Sequence, residues 1–364
     1  MDPLDIGRIL LGLVLLVGGG ELLVRGASTL AVRAGISPLV VGLTVVSVAT
    51  SAPELAVTAG AVLDGETDLA IGNIVGSNIA NILLILGVSA LVVPLVVRRQ
   101  LLKIDVPVLV ALSVLLLVLS LDGGISRVDG AVLLAVLVVY TLWTVRASKR
   151  APTTDADIDV PAVSVSMPVA VLMLIGGVGL LVGGSQILVD GAVNIATALG
   201  VSGLVIGLTV VAIGTSLPEL AASVVAVRKG QTELAVGNAV GSCLANIGLV
   251  LGLPALLAPG GLDVPGAAVA LDIPLMIATA LVLLPVAFTR ALIVRWEGLV
   301  FVGLYAAYTG YVVLAASDHD AAAGFSTVML IFVLPLVAGL PLLSAVYEAG
   351  VRHGRGQSRI PAED

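Results

Sequence analysis

The chain has 364 residues, 59% hydrophobic and 11% charged, with a mean hydropathy of +1.19 and a formal net charge of −7. No soluble domain of this length can bury so much apolar surface, so composition alone defines a polytopic, all-α membrane protein. A single cysteine, Cys243, excludes an intramolecular disulfide and any cysteine-built metal cluster.

In chain order, the opening MDPLD carries no basic region and no small-residue cleavage site, so the first span is expected to be retained. Runs long enough to cross ~30 Å of hydrocarbon fall at 5–33, 37–63, 68–96, 103–121 and 128–147. A polar stretch follows, RASKRAPTTDADIDVPAVS. Further runs lie at 167–198, 202–227, 233–259, 267–289, 296–316 and 323–347, giving eleven spans about a linker at 148–166. DADID (155–159) resembles the start of a calcium loop but lacks the glycine and terminal glutamate of an EF-hand, so it reads as solvated linker. Fourteen Arg against three Lys, with abundant Ala, Val and Gly, point to a prokaryotic source and hence the plasma membrane.

Charge placement orients the spans. With the N-terminus outside, 15 of the 17 basic residues fall in inner loops, the linker and the tail, leaving Arg8 and Arg127 on the far side. The expected topology is N-out, C-in.

The halves are related. A shift of 165 residues aligns 18–87 with 183–252 without a gap, and 39 of 70 positions are identical. Five spans precede the linker, so the second copy enters the membrane from the opposite side and the repeat must be inverted, the signature of secondary transporters. The expected organisation is a first repeat (1–147), a cytoplasmic linker (148–166), a second repeat (167–316), and an extra span with a cytoplasmic tail (317–364).

Each half interrupts its second span with Thr-Ser-x-Pro-Glu: Thr50, Ser51, Pro53 and Glu54, then Thr215, Ser216, Pro218 and Glu219. Proline lacks an N–H and bends or breaks a helix. Carbonyls just before it, around Ser47 and Ala212, then need partners that lipid cannot supply, and Ser51 and Ser216 are placed to cap the restarting half-helix. An ionised glutamate at the midplane is costly unless paired, yet every Lys and Arg lies in a loop, a tail or a span end. A proton or a metal ion is the remaining partner. Two carboxylates with hydroxyl, amide and carbonyl oxygens, and no His or Cys, suit a hard divalent cation such as Ca2+. Either glutamate alone has the bland reading of a protonated structural residue; duplication beside proline argues against it.

The third span of each half adds a polar stripe at four-residue spacing: Asn73, Ser77 and Asn81, then Asn238, Ser242 and Asn246. Beside it run the small residues Gly72, Gly76 and Ala80, matched by Gly237, Gly241 and Ala245, which let helices approach closely. Asn73 and Asn238 fit either ligation or simple helix joining, whereas the deeper Ser77, Ser242, Asn81 and Asn246 are better ligand candidates. Cys243 reads as a packed small residue, and Glu21 and Asp272 as helix-end or interfacial groups.

The doubled GLTxxxxxTSxPEL followed by GNxxGSxxANI, over 42–83 and 207–248, resembles the alpha-1 and alpha-2 repeats of the sodium/calcium exchanger family, within the calcium/cation antiporters. The resemblance implies two inverted five-helix repeats and a central Ca2+ site on Glu54 and Glu219 helped by Thr50 and Thr215. It also implies neighbouring Na+ sites using Ser51, Ser216, Ser77 and Ser242 with carbonyls like those of Ser47 and Ala212. Exchange would follow the sliding of the first and sixth spans past the core. The chain departs from the family pattern at Asn81 and Asn246, where an aspartate is common, and at Ala49, where the second half has Gly214.

The expected function is therefore Ca2+/Na+ antiport by alternating access, in the bilayer, with the two ions as substrates, no cofactor, no nucleic-acid partner and a monomeric state. The alternative is a Ca2+/H+ antiporter of the same fold, because a desolvated midplane glutamate takes a proton readily; the GNxxE-type motif of proton-coupled relatives is absent. An ion channel is disfavoured by the inverted repeat. An enzyme is disfavoured because the only histidines are His319 and His353, with no HExxH, GxSxG or P-loop pattern.

Overall fold

The computed structural model describes residues 2–150, 165–201, 203–284 and 291–316, and these are overwhelmingly helical. Most of the linker, His319, His353 and the proposed eleventh span lie outside the described residues.

Helix α1 (Pro3–Ala34) starts sharply because Asp2 accepts a bond from the Leu4 N–H at 2.9 Å and Pro3 suits the first turn. It stops at Gly35, which takes the left-handed φ of +62°. Its repeat mate in the second half is α7 (Met167–Ala198), also 32 residues long. At 1.5 Å per residue each spans about 48 Å, well beyond the ~30 Å hydrocarbon core. The two lie antiparallel along a glycine seam in steps of seven, with Gly12 against Gly184, Gly19 against Gly177 and Gly26 against Ala170. Seven-residue steps keep the small residues on one stripe of a pair of helices. A Cβ on Gly19 would come within 2.8 Å of the Gly177 carbonyl oxygen, so the close approach depends on glycine.

Next come α2 (Pro38–Thr50) and α3 (Ala52–Asp64), bent by 45° where they meet, then α4 (Thr67–Val92), α5 (Leu101–Asp122) and α6 (Arg127–Arg150). The second half repeats this order as α8 (203–215), α9 (Leu217–Arg228), α10 (Thr232–Leu257), α11 (Ala268–Leu281) and α12 (Arg295–Ala316). The bend between α8 and α9 is 57°. Among the described residues, seven helices are long and apolar enough to cross a membrane alone, nine if each bent pair is one span, with α11 a shorter apolar helix. The third and eighth spans end at Val92 and Leu257, ahead of the expected 96 and 259, because Pro94 and Pro259 follow. The ninth is helical over Ala268–Leu281 rather than 267–289.

Short ribbons tie the halves together. Strand β1 (Leu95–Val96) pairs antiparallel with β4 (Leu292–Ile293), and β2 (Gly124–Ile125) with β3 (Leu262–Asp263). In the repeat, β1 corresponds to β3 and β2 to β4. Each ribbon thus takes one connector from each half, and the repeat exchanges the two ribbons, as an inverted duplication requires. The most buried spans, α4 and α10, carry the polar stripes into the centre.

Candidate cation-binding site

Both bent spans are shaped by the same five letters. GLTVV forms one wide turn at Gly42–Val46 and another at Gly207–Val211. The Thr44 and Thr209 hydroxyls each donate to the carbonyl four residues back, Val40 and Val205, at 2.6 Å. Such back-bonding competes with the helix ladder and loosens the turn.

At the bends, Ser51 (φ −78°, ψ 11°) and Ser216 (φ −90°, ψ 5°) stay close to helical geometry. Their carbonyls still accept from the Leu55 and Leu220 N–H groups at 3.0 Å. The expectation that these serines cap their own half-helices is corrected here, because a cap needs an extended backbone to swing its hydroxyl back. Instead each hydroxyl crosses to the other half: Ser51 donates to Glu219 Oε1 and Ser216 to Glu54 Oε1, both at 3.4 Å. The carbonyl that Pro218 leaves without an N–H is that of Gly214, and it accepts from the Ser185 hydroxyl of α7 at 2.5 Å. The Ser47 carbonyl keeps the Ser51 N–H at 3.0 Å and takes the Thr50 hydroxyl at 3.3 Å, while the Ala212 carbonyl accepts the Thr215 hydroxyl at 3.2 Å.

Glu54 and Glu219 are each only 1% exposed. Among the described residues, no Lys or Arg pairs with either, and no group of three or more His, Cys, Asp or Glu gathers anywhere. At 3.4 Å the serine contacts are too long for strong charge-assisted bonds, which run about 2.5–2.7 Å. They match another geometry. Two oxygens about 2.4 Å from one Ca2+ ion, set at right angles, lie about 3.4 Å apart. Of ten buried side-chain atoms without a hydrogen-bond partner among the described residues, six belong to this site: Glu54 Oε2, Glu219 Oε2, both polar atoms of the Asn81 side chain, Asn246 Oδ1 and Ser242 Oγ. Buried polar atoms are normally paired, so the five oxygens among these six atoms suit a bound cation.

The outer members of the stripes hold the bends. Asn73 donates to the Glu54 carbonyl (3.2 Å) and Thr58 (2.9 Å), and Asn238 donates to the Glu219 carbonyl (3.3 Å) and Ser223 (3.0 Å). The helix-joining reading therefore describes both asparagines, although Asn238 also accepts from Thr50 at 3.3 Å. Asn246 donates to Asn78 across the halves at 3.3 Å, a contact sequence reasoning missed because Cys243 occupies the matching position. Cys243 is indeed buried, with Sγ 3.6 Å from the Asn78 carbonyl.

Glu21 lies within α1 rather than at its end, ion-paired with Lys229 and with Arg25 at 3.5 Å. Asp272 is in the second turn of α11 and lines a cavity of about 510 Å3 with Tyr308, Thr215, Ala212, Ser77 and Asn73. Its mate in the first half, Asp105, is fully buried and accepts the Tyr140 hydroxyl at 2.8 Å. The cavity reaches one side of the site. On the other side, Thr50 and Ser47 are fully buried.

Two bent spans, a buried pair of carboxylates and an inverted duplication are the features of a membrane transporter. The model of the sodium/calcium exchanger protein family matches residues 4–146 and 169–314, and the chain belongs to that family. It is 33% identical over 337 residues to the sodium/calcium exchanger MaX1 of Methanosarcina acetivorans, covering 82% of this chain and 96% of that one. It is 40% identical over 262 residues to the inner membrane protein YrbG of Escherichia coli, covering 70% and 80%. A solved structure of the sodium-calcium exchanger NCX_Mj, soaked with 10 mM Na+ and no Ca2+, superposes with a TM-score of 0.72 at 33% identity, covering 87% of this chain and 99% of that one. The protein is a multi-pass membrane antiporter of this family.

Proposed function

We propose that the protein exchanges Ca2+ for Na+ across the plasma membrane by alternating access, with one set of oxygens serving both ions in turn. The observation that carries this reading is the crossed pair of contacts, Ser51 to Glu219 and Ser216 to Glu54, beside carboxylate oxygens that have no hydrogen-bond partner among the described residues. Ca2+ would sit between Glu54 and Glu219, with Thr50 and Thr215 beside it. Ser51, Ser216, Ser77 and Ser242, together with the carbonyls of Ser47 and Ala212, would serve Na+. Asn81 and Asn246 supply neutral oxygens where a third carboxylate is common. Two negative charges balance one Ca2+ or two Na+, so occupancy by one ion species excludes the other.

Alternation would come from the halves 1–147 and 167–316 exchanging conformations, with α1 and α7, packed together on their glycine seam, sliding past the core. The N-out, C-in orientation, a monomeric state and the extra span beyond 317 belong to the same proposal.

The test is radioactive calcium uptake into proteoliposomes loaded with Na+, against matched vesicles with a proton gradient and no Na+. Uptake that needs the outward Na+ gradient supports sodium exchange. Uptake driven by the proton gradient alone moves the protein to Ca2+/H+ antiport, with Glu54 and Glu219 as the proton carriers.

A further inference from the structure

The two ends of the molecule are unequal in a way the repeat makes visible. Near Lys229, three polar pairs join separate spans. Lys229, just after α9, forms an ion pair with Glu21 of α1. The Ser28 hydroxyl of α1 donates to Gln231 Oε1 at 2.7 Å. Arg98, just after β1, donates to Glu233 of α10 at 2.5 Å.

At the opposite end the repeat supplies the counterparts. Glu21 and Lys229 correspond to Gln186 and Asp64, Ser28 and Gln231 to Val193 and Glu66, and Arg98 and Glu233 to Pro265 and Asp68. None of these pairs can make the same contact: the first has no cation, and valine and proline have no side-chain donor. The packing differs in the same sense. Val46, on the Lys229 side of the site, is 1% exposed, while its counterpart Val211 is 42% exposed on the cavity wall.

We propose that the three pairs act as a clamp that holds the Lys229 end shut in the ion-free protein. The missing counterparts leave the Asp64 end to open. Two of the pairs tie α1, one of the two helices that slide, to the core, so the clamp sets the resting side of the transport cycle. This inference rests on the alternating-access reading of the central site.

The test uses full-length protein in detergent, freed of Na+ and Ca2+, with Cys243→Ala and a reporter thiol at either Val46→Cys or Val211→Cys. Maleimide labelling of Val211→Cys is expected to be at least about tenfold faster than that of Val46→Cys, the signature of a population held on one side. Adding Glu21→Gln and Ser28→Val, each the repeat counterpart's own residue, should speed labelling of Val46→Cys by about tenfold. Conversely, Asp64→Lys with Gln186→Glu should build a clamp at the other end and slow labelling of Val211→Cys.

An unchanged Val46→Cys rate in a well-folded clamp variant overturns the proposal. Should that variant not fold, an unchanged Val211→Cys rate in the converse variant overturns it equally. The premise has its own readout: saturating Ca2+ should alter the labelling rate of at least one reporter in otherwise unaltered protein. If neither reporter answers to Ca2+ or Na+, alternating access fails and the clamp fails with it.

Discussion

Gly42–Val46 and Gly207–Val211 have the same five residues, the same wide turn, and the same distance in sequence to a serine, a proline and a glutamate. Their surroundings are opposite. A Cβ on Gly42 would meet the Leu234 carbonyl oxygen at 2.5 Å, and one on Gly237 the Leu39 carbonyl oxygen at 2.4 Å. Around Gly207, Gly72 and Gly76 nothing among the described residues lies within 4 Å of where a Cβ would stand. The α2–α10 seam is closed backbone against backbone, and the equivalent α8–α4 seam is a cavity. Identical local sequence in two environments shows that the seam has two arrangements. Under the proposed function they are the two ends of one switch, exchanged when the transporter turns over.

The sharpest way to probe this comparison is at the shared centre. Glu54→Gln and Glu219→Gln are each expected to cut Ca2+ uptake in proteoliposomes by at least about 100-fold, since losing a buried charged partner costs several kcal/mol. Near-equal losses mean that both halves build one site. A variant retaining wild-type uptake would show that the ion belongs to one half alone.

Packing should split the halves where the site unites them. Gly237→Ala forces the closed seam apart and should lower stability by about 1–3 kcal/mol, whereas Gly72→Ala should stay within about 0.5 kcal/mol. Thermal unfolding in detergent reads both, and the reverse order would mean the open seam is the tighter one in solution. Gly72→Ala should nonetheless slow exchange, because its seam must close in every cycle.

The same asymmetry marks the two Asp–Tyr pairs, buried in the first half and half-buried in the second. Tyr140 holds Asp105 at 2.8 Å, while no hydrogen bond joins Tyr308 to Asp272 among the described residues, both lining the cavity. Removing the hydroxyl with Tyr140→Phe should cost about 1–2 kcal/mol, and Tyr308→Phe much less, measured by the same melts. A modest effect is expected from Ser185→Ala. It strips the donor from the Gly214 carbonyl for about 1 kcal/mol, a contact the first half lacks because Gly20 stands at the matching position.

The repeat, the bends and the glutamates were legible in the sequence because each has a local cause. Proline bends the helix it sits in, and a carboxylate in a long apolar run announces itself. The crossed serines were not legible. A serine before a proline reads as a cap, and only the near-helical ψ at Ser51 and Ser216 together with the antiparallel meeting of two distant spans sends each hydroxyl to the other half's glutamate. Asp105 and Tyr140, 35 residues apart, raised no signal because neither sits in a recognisable motif; matching Asp105 to Asp272 and Tyr140 to Tyr308 through the repeat was the clue available. The partner of Glu21 was not legible either: a lone acidic residue in a glycine-rich run gives no sign that Lys229, 208 residues on, meets it.

By itself the sequence determined the duplication, the inversion that follows from five spans per copy, the bends, and a pair of carboxylates with no cation in reach. Those follow from periodicity, the missing proline N–H and the cost of charge in hydrocarbon, all properties of short segments. Only the tertiary structure decided which seam is shut, which wall of the site faces a cavity, and which end carries the polar pairs. Two near-identical copies encode both arrangements almost equally, so the choice rests on contacts between residues far apart in the chain, whose small differences in packing no local pattern records.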